Sequence, residues 1–596
     1  MPTPTFWTAE DKIPVSQKKV SVQAENGLEY NLGQQIDFVI PASTGYMMPS
    51  ETYLRMDVDI SRFGDAADPA VDDGKRARLC LDAELGANVL IRDIRVSSGG
   101  AQNILLEELQ NVNVLTALKY DYETNDSLKK KRALTEGSYI PTNAAQRGTT
   151  GCTMSATTNL SENPWWSNST TFTKDNFQTV KALLKLPTGI FQNDKIFPLG
   201  LTEGLRVQII LEDANRPFRQ LDSTCKYRNL LANPRFHSIN GSNTAPSAWA
   251  AGAAVSPGRL YVQRSNQCTD IQNFPFVVGE TIAFQSTTDS TKDTATTAEV
   301  VITAISNDTS VGGGDAHSQL IKVEFDSHTN NAAFDIDQDF ALYSRTYETK
   351  ISQTPTCTVS NVELIVQKVE MPEGYTRKMN SMLKAGGSMN YDFLSYTNYK
   401  HSQQRSDTVA NIRLPIGNSR CKSILCIPTD ATTYTPQQAI TASDTYRYDM
   451  LTDDIGSQGS IGNMSQRSGL VGIADHASNY QFIYDGKLNP NRKCPLSRIS
   501  VVGQHAPLNQ QVLIEQEKAL HQAGIDPLSF EAYKRNFFIG RALSLQNGVY
   551  DARGKDFNLQ VEYQESTAPT KQKLWNCWVA HLRRIVVKGE NIALEV

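Results

Sequence analysis

The sequence predicts an all-β protein made of two sandwiches in tandem. Apolar and polar residues alternate with a period of two in many short runs, and residues 53–60 (YLRMDVDI) show this pattern clearly. The runs are separated by clusters of Gly, Pro, Asn, Asp and Ser, while long helical patterns are few. The two halves of the chain also end alike. Together these observations indicate the sandwich or barrel class.

The other predicted strands share this composition of β-branched and aromatic residues bounded by turn formers. They are QIDFVI (35–40), VLIRDIRV (89–96), LRVQIIL (205–211), NIRLPI (411–416), SILCIP (423–428), YQFIY (480–484), FFIGRALSL (537–545) and FNLQVEY (557–563).

Helical spacing of apolar residues predicts one helical insert in a loop of each half. Residues 104–120 carry it in the first half. In the second half, residues 510–524 end on Gly524, a natural helix stop. A further helix is predicted over 526–536, with Asp526 as N-cap and Pro527 in the first turn.

The two halves close with the same pair of strands. Residues 204–213 (GLRVQIILED) and 360–372 (SNVELIVQKVEMP) end the first half. Residues 556–565 (DFNLQVEYQE) and 574–587 (LWNCWVAHLRRIVV) end the second. The match is one of order and pattern, and it predicts that a second sandwich follows the first.

A long excursion separates the two closing strands of the first half. Its runs at 275–284, 298–305 and 320–325, with VGGGDAHS (311–318) as a turn, predict a small β-module on a surface loop. A Gly/Ser-rich stretch at 454–470 predicts a second long loop. The predicted domains are residues 1–221 with 356–372, the insertion 222–355, and residues 373–596.

Composition excludes several functional classes. The 596 residues carry a net charge of −5, whereas proteins that coat nucleic acid need a cationic excess. The basic run KKKR (129–132) fits a solvated face better than a nuclear-localisation patch. Nine scattered cysteines and an N-terminus without a signal-peptide pattern predict folding in the cytosol, with membrane contact peripheral at most.

The sequence contains no motif that assigns a catalytic, cofactor-binding or metal-binding residue, so no site residue, no cofactor and no enzymatic activity are predicted. Its eight histidines are scattered, and neither a nucleophile elbow nor a phosphate-binding loop is present. Residues 335–340 (DIDQDF) have the acidic spacing of a calcium loop. However, Phe340 replaces the required Gly and Thr346 stands where a bidentate Glu closes such a site.

Three stretches carry a family resemblance: residues 183–213 (LLKLPTGIFQNDKIFPLGLTEGLRVQIILED), residues 360–372, and residues 519–564. With them, nearly the whole chain resembles the double jelly-roll major capsid proteins of eukaryotic double-stranded DNA viruses, and it looks closest to the polinton-like virus and virophage branch. The resemblance implies two tandem eight-stranded jelly rolls and homotrimers that form pseudo-hexagonal capsomers of an icosahedral shell.

The resemblance also implies partners and a location. The partners would be further copies of the chain, penton proteins and minor or cement capsid proteins, with no sequence-specific contact to nucleic acid. The location would be the virion, after synthesis in the host cytoplasm and assembly in the cytoplasm or nucleus. The insertion and the Gly/Ser loop would project outward. The N-terminal segment with Lys12, Lys18 and Lys19 would face inward or bind a neighbour.

Two alternatives from other classes are a jelly-roll carbohydrate-binding protein and a fibre adhesin. Lectin-like proteins are typically secreted, which the unpaired cysteine count and the N-terminus disfavour. Adhesins usually carry long repeats, collagen-like stretches or coiled coils, and the sequence contains none.

Overall fold

The computed structural model contains two β-sandwiches and describes most of both. The described residues are 16–60, 79–81, 85–100, 103–123, 179–213, 217–220, 357–405, 407–430, 470–472, 477–496, 509–528, 536–544, 548–563, 572–588 and 591–595, with isolated residues between 125 and 137 and at 474, and short strands at 153–154 and between 224 and 344.

The first sandwich contains eight main strands in two antiparallel sheets. They are β1 (Ser16–Gln23), β2 (Gln35–Ile40), β3 (Tyr46–Ile60), β4 (Ile91–Ser98), β5 (Leu105–Leu109), β6 (Thr179–Lys185), β7 (Leu205–Leu211) and β8 (Cys357–Glu370). One sheet has the order β1-β8-β3-β6 and the other β2-β7-β4-β5. Helix α1 (Val112–Glu123) follows β5.

Short elements complete this half. The strands Glu29–Asn31 and Phe197–Pro198 extend the first sheet, and Leu79–Leu81 pairs with Phe218–Gln220. Single 3-10 turns lie at Ala42–Thr44, Gly86–Leu90 and Leu199–Leu201.

Period-two alternation places the core of the first sandwich. In β7, Leu205, Val207, Ile209 and Leu211 are fully buried, and the residues between them are half-buried. This is the expected pattern of a strand with one face on the core and one toward solvent. Its neighbour β2 buries every second residue in the same way, so the two strands form one apolar layer.

The second sandwich has eight main strands of its own. They are β9 (Ser388–Gln403), β10 (Val409–Leu414), β11 (Cys421–Asp430), β12 (Ala477–Tyr484), β13 (Lys487–Pro495), β14 (Ile539–Ala542), β15 (Phe557–Tyr563) and β16 (Lys573–Lys588). The sheet orders are β9-β16-β11-β14 and β10-β15-β12-β13. A short β17 (Asn591–Glu595) pairs with β16, and α3 (Gln510–Gln522) lies between β13 and β14.

Both sandwiches therefore have one topology. Counted from the first main strand of each half, one sheet has the order 1-8-3-6 and the other 2-7-4-5. Eight antiparallel strands divided between two sheets in this way form a jelly roll. The predicted fold class, two tandem eight-stranded jelly rolls, is confirmed. The predicted last two strands of each half are also confirmed: they are β7 and β8 in the first half and β15 and β16 in the second.

The helix predicted over 104–120 is wrong in its first part. Residues 105–109 form β5, which pairs with β4, and the helix begins only at Val112. Asn111 separates the two elements with a positive φ of 52°. Its backbone N–H donates to Asp93 Oδ1 at 2.8 Å, which ties the turn to β4.

The helical predictions of the second half have mixed outcomes. The helix over 510–524 is confirmed: Asn509 caps its start, because its side chain accepts from Gln511 N–H at 2.9 Å, and Gly524 follows its end with a φ of 75°. The predicted start of a further helix at Asp526 is wrong, since Leu528 N–H instead donates to Tyr122 O at 2.8 Å in a non-helical segment. Residues 529–535 lie outside the described residues.

The sequence patterns did not predict helix α2 (Glu373–Lys384), which connects the two sandwiches. It has an acidic residue in its first turn and a basic residue in its last, which suits the helix dipole. Leu383 is its one buried residue, but Tyr375, Met379, Met382 and Leu383 recur at helical spacing, so the signal was present in the sequence and was missed. Tyr46 nevertheless contacts it, through an edge-on ring contact to Tyr375 at 6.0 Å.

The three strands predicted within the insertion are confirmed. They are Thr281–Ser286, Glu299–Asp308 and Leu320–Phe325, paired antiparallel in sequence order. Further strands of this region are Thr224–Lys226, Ala254–Val255, Gly258–Gln263, His328–Thr329 and Phe340–Ser344. Thr153–Met154 joins the same sheet beside Glu299–Asp308. The predicted turn at 311–318 lies outside the described residues, as does the 454–470 loop apart from Leu470.

Within the part of the chain that the structure describes, no helix is long and apolar enough to cross a membrane.

The second core should be sensitive to loss of volume. Leu559 of β15 is fully buried, so Leu559→Ala should lower the free energy of unfolding by about 2–5 kcal/mol, since the cavity adds to the lost transfer energy. Val409→Ala, at a position 39% exposed on the same sheet, should change it by less than about 0.5 kcal/mol. Urea unfolding followed by tryptophan fluorescence compares them, and equal losses would contradict this account of the core.

Candidate functional site: the junction between the sandwiches

The two sandwiches meet in a junction that is asymmetric. The first contributes what we call its edge surface, which consists of β5, α1 and the β6–β7 loop (186–204). The second contributes what we call its sheet face, the outward side of β9, β16 and β11. Buried apolar residues form one continuous cluster across the contact, from α1 of the first sandwich to Leu425, Ile427 and Trp578 of the second.

A buried carboxylate lies at the centre of the junction. Glu107 of β5 is fully buried and accepts the backbone N–H of Gly189 at 2.9 Å and of Ile190 at 3.1 Å. Ser395 Oγ of β9 donates to the same carboxylate at 2.8 Å. One side chain therefore joins a strand and a loop of the first sandwich to a strand of the second.

Burial disfavours the ionised form of Glu107, whereas the neighbouring groups favour it. Burial raises the pKa of Glu107 above its ordinary value, although the hydrogen bonds from Gly189, Ile190 and Ser395 and the charge of Arg583 act to lower that pKa. Arg583 also donates from Nη1 to Leu106 O at 3.1 Å across the junction. A buried acid is tolerated only where such partners are present.

The β6–β7 loop approaches β9 at backbone distance. A Cβ added to Gly189 would lie 1.8 Å from Leu394 O, so no side chain fits there. Further along the loop, Asn193 Nδ2 donates to Asp392 O at 2.9 Å. Phe197 packs edge-on against Tyr391, with ring centroids 5.0 Å apart. The loop is thus held against β9 along several residues.

A cluster of amides connects the start of α1 to the sheet face. Asn111 Nδ2 donates to Asn576 Oδ1 at 2.9 Å, and Asn398 Nδ2 donates to the same oxygen at 3.1 Å. Asn398 also lies 3.3 Å from Gln110 O, and Lys400 Nζ donates to Asn111 Oδ1 at 3.3 Å. Paired amides of this kind fix the register of the contact, because a shift would leave buried polar groups unsatisfied.

The end of α1 is anchored in the second sandwich. Tyr122 OH donates to Asn536 O at 3.2 Å, and its ring packs edge-on against Phe538 at 5.5 Å. Asn536 Nδ2 donates to Asp121 Oδ2 at 2.8 Å, and its Oδ1 accepts the N–H of Gly472 at 2.8 Å. The helix therefore contacts the second sandwich at both of its ends.

His581 of β16 is a buried histidine beside this network. Its Nε2 is 2.9 Å from Thr397 Oγ1, while its Nδ1 has no hydrogen-bond partner among the residues that the structure describes. Burial and the charge of Arg583 lower the pKa of His581 to about 3. The imidazole is therefore neutral at physiological pH.

The chemistry of the junction is packing and hydrogen bonding. Among the described residues, no group of three or more His, Cys, Asp or Glu side chains is arranged to hold a metal ion. Burial raises the pKa of the thiols of Cys357 and Cys421 to about 12, so both stay protonated and unreactive. The sequence analysis assigned no catalytic, cofactor-binding or metal-binding residue, and that assignment stays a prediction.

The structure describes only part of the two charged stretches that the sequence analysis considered, 129–132 and 335–340. In the 129–132 run, the Arg132 guanidinium lies 3.5 Å from the ring centroid of Tyr120, so this residue packs against the first sandwich. Of the 335–340 stretch, residues 335–339 lie outside the described residues.

The sequence patterns missed the junction residues themselves. Glu107 falls in the segment assigned to a helix, and Arg583 falls in a predicted strand. The sequence signal that could have revealed them is a charged residue within an otherwise apolar strand. Such a residue lies either on an exposed face or next to a buried partner.

Topology and junction together define a double jelly-roll protein whose two domains are joined by a continuous apolar cluster. No protein-family model and no curated protein matches the chain.

Several solved structures with similarity over nearly the whole chain are capsid proteins. The structure of PBCV-1 VP54, fitted into a reconstruction of the virophage Sputnik, has a TM-score of 0.46 and 9% identity over 99% of this chain and 100% of that chain. The Faustovirus major capsid protein has a TM-score of 0.44 and 6% identity over 96% and 90%. The mavirus major capsid protein has a TM-score of 0.32 and 10% identity over 100% and 95%. The fold assignment itself rests on strand order.

The close approach at Gly189 should be essential to the junction. Gly189→Ala places a methyl group on the Leu394 carbonyl and should destabilise the protein by about 1–3 kcal/mol, because the backbone of β9 or of the loop must move. Gly200→Ala is the matched control, since a Cβ there meets nothing within 4 Å. Denaturant midpoints measure the difference, and a Gly189→Ala protein as stable as the control would show that the loop is not packed on β9.

His581 should make the protein sensitive to acid. Its pKa is lowered in the folded state, so its contribution to stability is complete above the unfolded value of 6.5 and is lost as pH falls toward about 3. Within this window the slope should be up to about 1.4 kcal/mol per pH unit. The pH dependence of thermal unfolding should be shallower in His581→Gln. Parallel profiles for the two proteins would mean that His581 is accessible to protons in the fold.

Proposed function

We propose that this chain is the major capsid protein of a double-stranded DNA virus, in which homotrimers form pseudo-hexagonal capsomers that tile an icosahedral shell. The observation that carries the proposal is that two jelly rolls with one strand order pack against each other in one chain. A three-fold assembly of such chains presents six similar blocks, which a hexagonal lattice requires. The sequence resemblance described above supports the same function.

The junction supports a structural role. The side chains at its centre are used in packing and hydrogen bonding between the sandwiches, and none of them is assigned a catalytic role. A capsomer must resist shear between its blocks, and the continuous apolar cluster that includes Leu106 and Trp578, with the hydrogen-bonded Glu107 beside it, meets that demand. The protein acts by shape and contact, and we assign it no enzymatic activity.

The proposed partners are other copies of the chain first, then penton and minor or cement proteins at the edges of the capsomer. Direct recognition of nucleic acid is not part of the proposal, because the net charge of −5 disfavours it. The proposed location is the virion, after synthesis in the host cytoplasm and assembly there or in the nucleus.

We divide the chain at the limits that the sequence indicated, with the insertion 222–355 between the last two strands of the first jelly roll (1–221 with 356–372) and the second jelly roll at 373–596. The insertion and the 454–470 loop are placed on the outer surface of the capsomer. The N-terminal segment with Lys12 is proposed to lie inside or on a neighbouring chain. Lys18 and Lys19, which were expected in the same segment, lie instead in β1, which pairs with β8 of the same chain.

The test is the solution mass of the purified chain by light scattering, followed by negative-stain imaging of the same peak. The expected result is a particle of three chains with a hexagonal outline. A monomer at all concentrations, without a tendency to assemble, would overturn the proposal, and glycan binding by that monomer would favour the lectin-like alternative.

A further inference from the structure

Two cysteines of the second sandwich are direct partners across neighbouring strands. Cys426 of β11 lies opposite Cys577 of β16 in the antiparallel register, and Leu425 lies opposite Trp578 beside them. In the sheet order β9-β16-β11-β14 these two strands are the central pair. The two cysteines therefore lie inside the sheet, away from both of its edges.

Both side chains point into the core of the second sandwich. Cys426 and Cys577 are fully buried and belong, with Val579, to the apolar cluster of that core. Leu425 and Trp578, one position along each strand, belong to the cluster that crosses the junction. Because successive side chains of a strand point to opposite faces, the two thiols share one face, behind the residues that contact the first sandwich.

The backbone spacing suits a covalent bond between the two cysteines. Directly opposed residues of antiparallel strands have Cα atoms about 4.5–5.5 Å apart. The Cα atoms of a disulfide are about 4.4–6.8 Å apart, so this register permits the bond. The side chains are already in contact, since the Cys577 side chain forms a hydrogen bond with the Cys426 thiol.

The other free cysteines of the described part of the chain have different neighbours. Each lies opposite a residue of another type: Cys357 opposite Ile60, Cys421 opposite His581 and Cys494 opposite Tyr480. A buried cysteine is usually a small apolar residue of the core, and that role is sufficient for these three. The direct pairing of Cys426 with Cys577 is a feature that packing alone does not require.

We propose that Cys426 and Cys577 form a disulfide when the second sandwich folds in an oxidising medium. The bond joins β11 to β16 and closes a loop of about 150 residues, which restricts the unfolded chain and so stabilises the fold. It ties together the two strands whose outward residues Leu425 and Trp578 form part of the junction. The inference concerns the second sandwich alone and does not depend on the proposed capsid function.

The oxidant is a low-molecular-weight disulfide such as glutathione disulfide. The thiolate of one cysteine attacks a sulfur of glutathione disulfide, which forms a mixed disulfide and releases one glutathione thiolate. The thiolate of the other cysteine then attacks the protein sulfur of the mixed disulfide, which forms the Cys426–Cys577 bond and releases the second glutathione thiolate. Two protein thiols lose two electrons and two protons, and one glutathione disulfide becomes two glutathione molecules.

Burial restricts this reaction to a chain whose second sandwich is not yet closed. Burial raises the pKa of the Cys426 thiol, and the interaction with Cys577 raises that pKa further, so the thiol of the folded chain is protonated and does not attack. Glutathione disulfide also has no access to a fully buried thiol. The bond therefore forms while β11 and β16 are pairing, and once formed it is shielded from reductants in the same way.

The test uses the full-length chain, unfolded in urea and refolded in glutathione buffer that is either oxidising or fully reduced. Free thiols are then alkylated in denaturant, and the peptides are mapped by mass spectrometry. The expected product of the oxidising buffer is a pair of peptides joined through positions 426 and 577. Its urea midpoint should exceed that of the reduced chain by about 0.5–1 M. Dithiothreitol should cleave the bond in urea and leave it intact in the folded chain.

Cys426→Ala and Cys577→Ala test the assignment, and Cys494→Ala is the matched control. All three variants remove a buried thiol of the second sandwich, but Cys494 lies in the other sheet, opposite Tyr480. The rise of the urea midpoint on oxidation should vanish in the first two variants and persist in the third. Because each variant is compared with itself in two buffers, the effect of the volume lost from the core cancels.

Two results would overturn the inference. One is a chain in which Cys426 and Cys577 are both alkylated after folding in the oxidising buffer, which would leave them as core residues only. The other is a urea midpoint that does not rise on oxidation, or that rises equally in Cys426→Ala. For a chain that does not refold, the same peptide mapping on protein produced in cells with an oxidising cytosol decides the question. A monomeric chain that carries the disulfide would overturn the capsid proposal and leave this inference standing.

Discussion

The junction depends on the buried carboxylate of Glu107. An acid removed from water costs several kcal/mol unless hydrogen bonds replace its hydration, and here three donors do so. They come from two backbone N–H groups of the β6–β7 loop and from Ser395 of the other sandwich. Because all three donors must be in place together, they favour one mutual arrangement of β5, the loop and β9.

Strands with one buried face were predicted most accurately, and β5, which is buried on both faces, was assigned to a helix. Strands β7 and β15 were predicted to the residue, because alternation survives where one side of a sheet faces the core and the other does not. In β5, Leu106 and Glu107 are buried in succession, since the core of the first sandwich lies on one side and the second sandwich on the other. The alternation of apolar and polar residues with a period of two is absent there, and the sequence LLEEL (105–109) resembles part of a helix. Helix α1 is buried nearly all round for the same reason.

The site could not be predicted for a related reason. Its members come from β5, the β6–β7 loop, β9 and β16, and their partners are separated by hundreds of positions in the chain. Asn111 and Asn576 are an example: neither has an unusual local sequence, and their hydrogen bond at 2.9 Å exists only because two domains meet. Local patterns specify each sandwich, while the contact between sandwiches is specified by single polar residues at positions that only the fold brings together.

One topology with two surface chemistries also suggests how a chain of this kind separates folding from assembly. The covered sheet face is apolar and is buried as soon as the chain folds, so the junction forms without any dependence on concentration. The corresponding sheet of the first sandwich carries Arg55 of β3 and Glu363 of β8 in an ion pair, which contributes little to stability but keeps that face polar. A contact made through such a face depends on concentration and is weakened by salt. The folded pair of sandwiches can therefore exist before assembly, and the polar face limits nonspecific association.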